Sequence, residues 1–200
     1  TEGFNTYKLF MNIEDTPDNY WGQKILFAPE VYYYDNLYWL YYSDNSKETG
    51  LRYINVMTSE SPTGPFVPFK GTNAWNEDVD GAKEPLFRHN DSLGLSALDQ
   101  TLLFDDDGSI YMYYSIYDTG IMQYIVGVEM LDPVTPDWNT YKILIRPGEL
   151  TPKTTRTNFL IWEAYSGFKV AEGPFMLKSP NGLYYLTYSV NHYDDRYYTV

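Results

Sequence analysis

The sequence predicts an all-β protein whose antiparallel sheets repeat around a common axis, the architecture of a β-propeller. Short runs rich in Tyr, Phe, Val, Ile and Leu are broken by Gly, Pro, Asn and Asp, and no window of about 12 residues carries a helical period. One strand–turn–strand unit occurs three times. It runs from Phe27-Ala28-Pro29-Glu30-Val31 to Tyr41-Tyr42-Ser43, from Leu98-Asp99-Gln100-Thr101-Leu102 to Tyr113-Tyr114-Ser115, and from Glu172-Gly173-Pro174-Phe175-Met176 to Thr187-Tyr188-Ser189. The closing serines lie 72 and 74 residues apart. A strand-built period of that size means blades.

Each blade can be justified in order. Residues 31–34 and 37–42 flank Asp35-Asn36, a two-residue hairpin turn. Residues 101–104 and 110–114 flank Asp105-Asp106-Asp107-Gly108, and residues 175–178 and 183–188 flank Pro180-Asn181-Gly182. A third strand follows each hairpin at residues 51–58, 123–130 and 197–200, and outer strands fit residues 65–69 and 140–145. The blades then span roughly residues 20–75, 85–147 and 160–200. Rings of this kind close with about four to eight blades, so the chain reads as an excerpt of a longer ring.

Composition bounds the function. The chain holds 22 Tyr, 10 Phe and 5 Trp. Tyrosine suits half-buried strands, and its apolar body with a polar tip also suits sugar rings; strand packing accounts for most of these residues. A net charge of −13 and a pI near 4.4 argue against nucleic acid or an anionic membrane as partner. No apolar run approaches the roughly 20 residues of a membrane-spanning helix. The absence of cysteine excludes disulfides, zinc–thiolate sites and thiol catalysis. No signal peptide is present, so the chain reads as mature, trimmed or cytosolic.

Blade-opening strands line the central channel, so side chains at the start of successive blades converge. Asp99 lies nine residues before Gly108 and Glu172 ten before Gly182, whereas Glu30 lies only six before Asn36. This spacing predicts Asp99 and Glu172 as neighbours at the hub, with Glu30 deeper or on another face. Two acids across a pocket are what glycosidic bond cleavage requires, one protonating the leaving oxygen and the other activating water or attacking. Burial or a neighbouring anion keeps the donor protonated. Strand-end salt bridges are the competing reading of both acids.

Taken in order, Phe-Ala-Pro-Glu-Val at 27–31, Leu-Asp-Gln-Thr-Leu-Leu-Phe-Asp-Asp-Asp-Gly-Ser-Ile-Tyr at 98–111 and Glu-Gly-Pro-Phe-Met-Leu-Lys at 172–178 resemble glycoside hydrolase family 43, as does Ser-Pro-Thr-Gly-Pro-Phe at 61–66. The resemblance covers about residues 25–195. It implies a five-bladed propeller acting by inversion on arabinose- or xylose-containing oligo- and polysaccharides, and a secreted or periplasmic location. Glu172 matches the general acid, and Asp99 matches the aspartate that tunes that acid and orients substrate. The general base is an aspartate on an earlier blade, and nothing here matches it: Asp15 and Asp18 lie in a polar loop and Asp132 in the wrong blade. Phe27 stands where the family often has Trp, which makes it a candidate sugar-stacking wall. No cofactor is implied; a structural calcium would belong to the full-length protein, its ligands beyond Val200. The alternative is a carbohydrate-binding propeller that has lost catalysis; a purely structural propeller is the third reading. The oligomeric state is not legible.

Other residues carry less. The Asp105-Asp106-Asp107 run lacks the glycine and glutamate positions of an EF-hand, which predicts a solvated turn. His89 and His192 are too isolated for a metal site, and Asn90-Asp91-Ser92 is a glycosylation-type triplet. Trp162 is a candidate subsite wall, although Trp75 and Trp162 fit blade interfaces better. Arg156 and Arg196 suit sugar hydroxyls or surface ion pairs.

Overall fold

The computed structural model describes residues 16–88, 95–118, 122–147, 169–190 and 198–199. Among these there are strands, turns and no helix. The first sheet has the order β1 (Phe27–Tyr34), β2 (Leu37–Asn45), β3 (Arg52–Ser59), β4 (Val67–Pro68), each antiparallel to the next. Its hairpin turns on Asp35 and Asn36 at φ 48° and 62°. Tight two-residue turns need that left-handed pair to match strand twist, and Asp and Asn tolerate it better than other side chains.

The expected outer strand at residues 65–69 shortens to β4, because the chain departs into a ribbon of β5 (Lys70–Thr72) and β6 (Asp78–Asp80). The second sheet is the meander β7 (Leu95–Phe104), β8 (Ile110–Asp118), β9 (Met122–Asp132), β10 (Thr135–Ile145). Its outer strand begins five residues earlier than the 140–145 expectation. The third comprises β11 (Lys169–Lys178), β12 (Tyr184–Val190) and β13 (Tyr198–Thr199). It is not separate from the second: β11 joins β9 through two parallel bridges, Lys169 to Met122 and Val170 to Gln123.

Side-chain alternation explains the packing. Along β2, Trp39 and Tyr41 face the second sheet and enter a core with Ile54, Val56, Leu102, Met112 and Val126. The intervening Leu40 and Tyr42 face the other way, against Met57 and Phe66. Residues one apart point to opposite faces, so a strand covered on both sides reads as an unbroken apolar run. Ile125, Ala171 and Val190 form the smaller core between the second and third sheets. Three tyrosine hydroxyls buried by this packing are hydrogen-bonded: Tyr41 donates to the Pro133 carbonyl at 2.8 Å, and Asn55 donates to the Tyr42 hydroxyl, itself 2.9 Å from that of Tyr20.

Two expectations are corrected. Trp75 plugs no interface and is 48% exposed. Asp105 is more than a solvated turn residue, because it accepts hydrogen bonds from Lys178 and from the Tyr184 hydroxyl, tying the second sheet's turn to the third sheet. Those two donors hold its carboxyl down at about 2.

Candidate active site

The three blade-opening strands share one irregularity. Pairing with the next strand is regular at Phe27–Ser43, Leu98–Ser115 and Glu172–Ser189, then slips before resuming at Glu30–Tyr41, Thr101–Tyr113 and Phe175–Thr187. The residue after each break has positive φ: 44° at Ala28, 54° at Asp99 and 58° at Gly173. Only glycine adopts that region without steric cost, which for other residues is roughly 1–2 kcal/mol. A bulge re-aims a side chain that regular pleating would send to the opposite face. Asp99 occupies the strained position, Glu172 the position before it, and Glu30 two positions after it. A one-residue offset should place Asp99 and Glu172 on opposite faces. The bulge brings them to one wall.

Strand β7 packs between β1 and β11, so the three bulges stand side by side. They enclose a cavity of about 360 Å³ lined by Ala28, Glu30, Asp99, Gln100, Glu172, Gly173, Pro174 and Phe175. Burial, then the charge of Glu172, pushes the Asp99 carboxyl up to about 6; a hydrogen bond from the Gly173 N–H and the Arg52 charge pull the other way. Glu172 Oε2 accepts from Gln123 Nε2 at 3.0 Å. Buried Gln100 donates to the Ala28 carbonyl at 2.7 Å and accepts from the Ser43 hydroxyl at 3.0 Å, tying the first bulge to the second. The Tyr32 hydroxyl donates to Glu30 and in turn accepts the Leu102 N–H at 2.9 Å.

Asp99 and Glu172 thus share the cavity, and Glu30 joins them rather than sitting deeper or on another face. Phe27 lies beside the cavity with the Arg52 guanidinium 4.8 Å above its ring. The half-exposed aromatic on the wall is Phe175. Asp18 lines a different cavity, of about 350 Å³, near Trp21 and Tyr53. Asp132 accepts the Val134 N–H at 2.7 Å within the β9–β10 turn. Asp15, His89, Arg156, Trp162, His192, Arg196 and the Asn90 triplet lie outside the described residues. Among the described residues no group of three or more His, Asp or Glu side chains could hold a metal ion. Gln123, Tyr32 and Arg52 escape sequence reasoning, which names Glu30 but places it away from the other two acids. For Glu30 a signal existed, because register counted back from the closing serines places it two residues past the first bulge.

A family profile described as glycosyl hydrolases family 43 matches residues 5–200. The chain belongs to that family. Among curated relatives, the family 43 chain is 34% identical over 106 residues to xylosidase/arabinosidase 43A of Humicola insolens, covering 53% of this chain and 25% of that protein. It is 26% identical over 145 residues to the extracellular endo-alpha-(1->5)-L-arabinanase 1 of Bacillus subtilis, covering 68% and 39%. Among solved structures, a thermostable family-43 glycoside hydrolase aligns at TM-score 0.67 with 26% identity, covering 92% of this chain and 51% of that one. An endo-1,4-beta-xylanase from Bacteroides thetaiotaomicron aligns at 0.64 with 31% identity, covering 94% and 52%. The family 43 chain therefore spans about half the length of these solved structures, and its three sheets are blades of their propeller.

Proposed function

We propose that the protein is an inverting glycosidase acting on arabinose- or xylose-containing oligo- and polysaccharides. The observation that carries this reading is the meeting of Asp99 and Glu172 in one cavity, from bulges on adjacent blades. Glu172 transfers its carboxyl proton to the glycosidic oxygen as the bond from the anomeric carbon breaks. Water attacks that carbon from the far side, giving up its proton to a carboxylate about 6.5–9.5 Å away. The family resemblance gives that role to an aspartate on the first blade, upstream of the Ala28-Pro29 motif. Asp99, held by the Gly173 N–H and facing Glu172, positions the sugar. Phe175 and Pro174 supply apolar wall. No cofactor enters these steps. Secretion fits a polymeric substrate, and one relative is named extracellular.

The test uses the intact protein with arabinobiose and xylobiose, whose poor leaving groups need a proton. Glu172→Gln lowers turnover by at least two orders of magnitude, the usual worth of a positioned acid. Unchanged turnover removes Glu172 from the chemistry. Saturable oligosaccharide binding in calorimetry without product release would instead assign the cavity to recognition alone.

A further inference from the structure

We propose that Gln123 is a positioning residue that fixes which oxygen of Glu172 carries the proton; the inference rests on the acid role assigned to Glu172 above. Gln123 is 6% exposed and lies on β9 of the second sheet, whereas Glu172 lies on β11 of the third. The link between them is built into the backbone. Gln123 is the partner of Val170 in the parallel bridge that joins the two sheets. Glu172 follows Val170 by two residues and so points to the same face of β11. The Gln123 amide reaches Glu172 Oε2 at 3.0 Å from a strand, not from a loop.

A carboxylic acid has one carbonyl oxygen, the better acceptor, and one hydroxyl oxygen, the donor. An N–H aimed at Oε2 makes Oε2 the carbonyl oxygen, so the proton resides on Oε1. Once the proton has left, the same N–H stabilises the resulting carboxylate. Gln123 touches no substrate. It sets the direction of the proton without taking part in its transfer.

This division of labour has a kinetic signature. A 2,4-dinitrophenyl pentoside releases a stable anion and needs little protonation, whereas a pentosyl leaving group depends on it. The experiment measures kcat/KM for dinitrophenyl α-arabinofuranoside and β-xyloside against arabinobiose and xylobiose, using the intact protein and its variants. Gln123→Leu loses at least tenfold more on the disaccharides than on the dinitrophenyl substrates. Gln123→Met, of similar size and uncharged, removes the N–H without supplying another donor and shows the same imbalance, which covers the case of a misfolded leucine variant. Equal losses on both substrate classes in the variant that folds would overturn the inference and leave Gln123 a packing residue. Glu172→Gln separates the two ideas: if it shows the imbalance and the Gln123 variants do not, only the role of Gln123 falls. If Glu172→Gln shows none, or wild type cleaves neither class, the acid assignment fails and the role of Gln123 goes with it.

Discussion

Replacing Asp99 by asparagine should make the protein more stable at neutral pH while abolishing turnover. The carboxyl is raised from 3.8 to about 6 by burial and by Glu172. Each unit is worth about 1.4 kcal/mol, so the two-unit rise puts the cost of ionised Asp99 near 3 kcal/mol, and local relaxation reduces this to an expected 1–3 kcal/mol. The sign follows from linkage. A raised folded value means stability is greatest below 3.8 and falls as pH rises through about 6. Asn tolerates φ 54° better than other side chains, and its carbonyl can still accept the Gly173 N–H, so the substitution isolates the charge. Urea unfolding of both proteins at half-unit steps from pH 4 to pH 8 reads the difference directly. It should be near zero at pH 4, open between pH 4 and 6, and stay constant above. An asparagine variant that is no more stable at pH 7.5, or whose advantage is independent of pH, would refute the reasoning.

Three further outcomes can be checked with the same equipment. Gln100→Leu strips the partners from the Ala28 carbonyl and the Ser43 hydroxyl and should cost about 2–3 kcal/mol by urea unfolding; a loss below 1 kcal/mol would mean that the amide does not hold the bulges together. Ala28→Gly relieves φ 44° and should raise stability by about 0.5–1 kcal/mol, whereas a destabilised variant would show that the alanine methyl matters more than its backbone. Lys178→Met removes the main donor holding Asp105 near 2. Stability from this depressed carboxylate is present above 3.8 and lost as pH falls through about 2. The variant's deficit in urea midpoint at pH 6 should therefore shrink below pH 3, and a deficit constant down to pH 2 counts against the pairing.

The hairpins were readable because turn chemistry is local. Asp35-Asn36, Gly108 and Gly182 take up left-handed conformations that few other residues accept, and the aromatic runs between them have the composition of strands. The meeting of Asp99 and Glu172 was readable from periodicity. Glu30 was misplaced because counting began at the turns: two residues close the first hairpin, 35–36, and five close each of the others, 105–109 and 179–183. Counted from Ser43, Ser115 and Ser189, the same sequence aligns the bulges. Gln123 and Arg52 were not legible at all. Each reaches its partner across a pairing or packing contact between distant segments, and nothing local in the sequence encodes such a contact. Asp105 resembled any acidic turn residue until Lys178, 73 positions later, came beside it.

The repeated bulge resembles a socket with numbered pins. In three blades the same kink of backbone offers the channel residues before, at and after its break, and each blade uses a different pin for its acid. A catalytic group can therefore be moved, swapped or deleted by changing one codon, with strand pairing untouched. Descendants of such a scaffold are free to trade one reaction for another, or for binding alone, while keeping the same wheel.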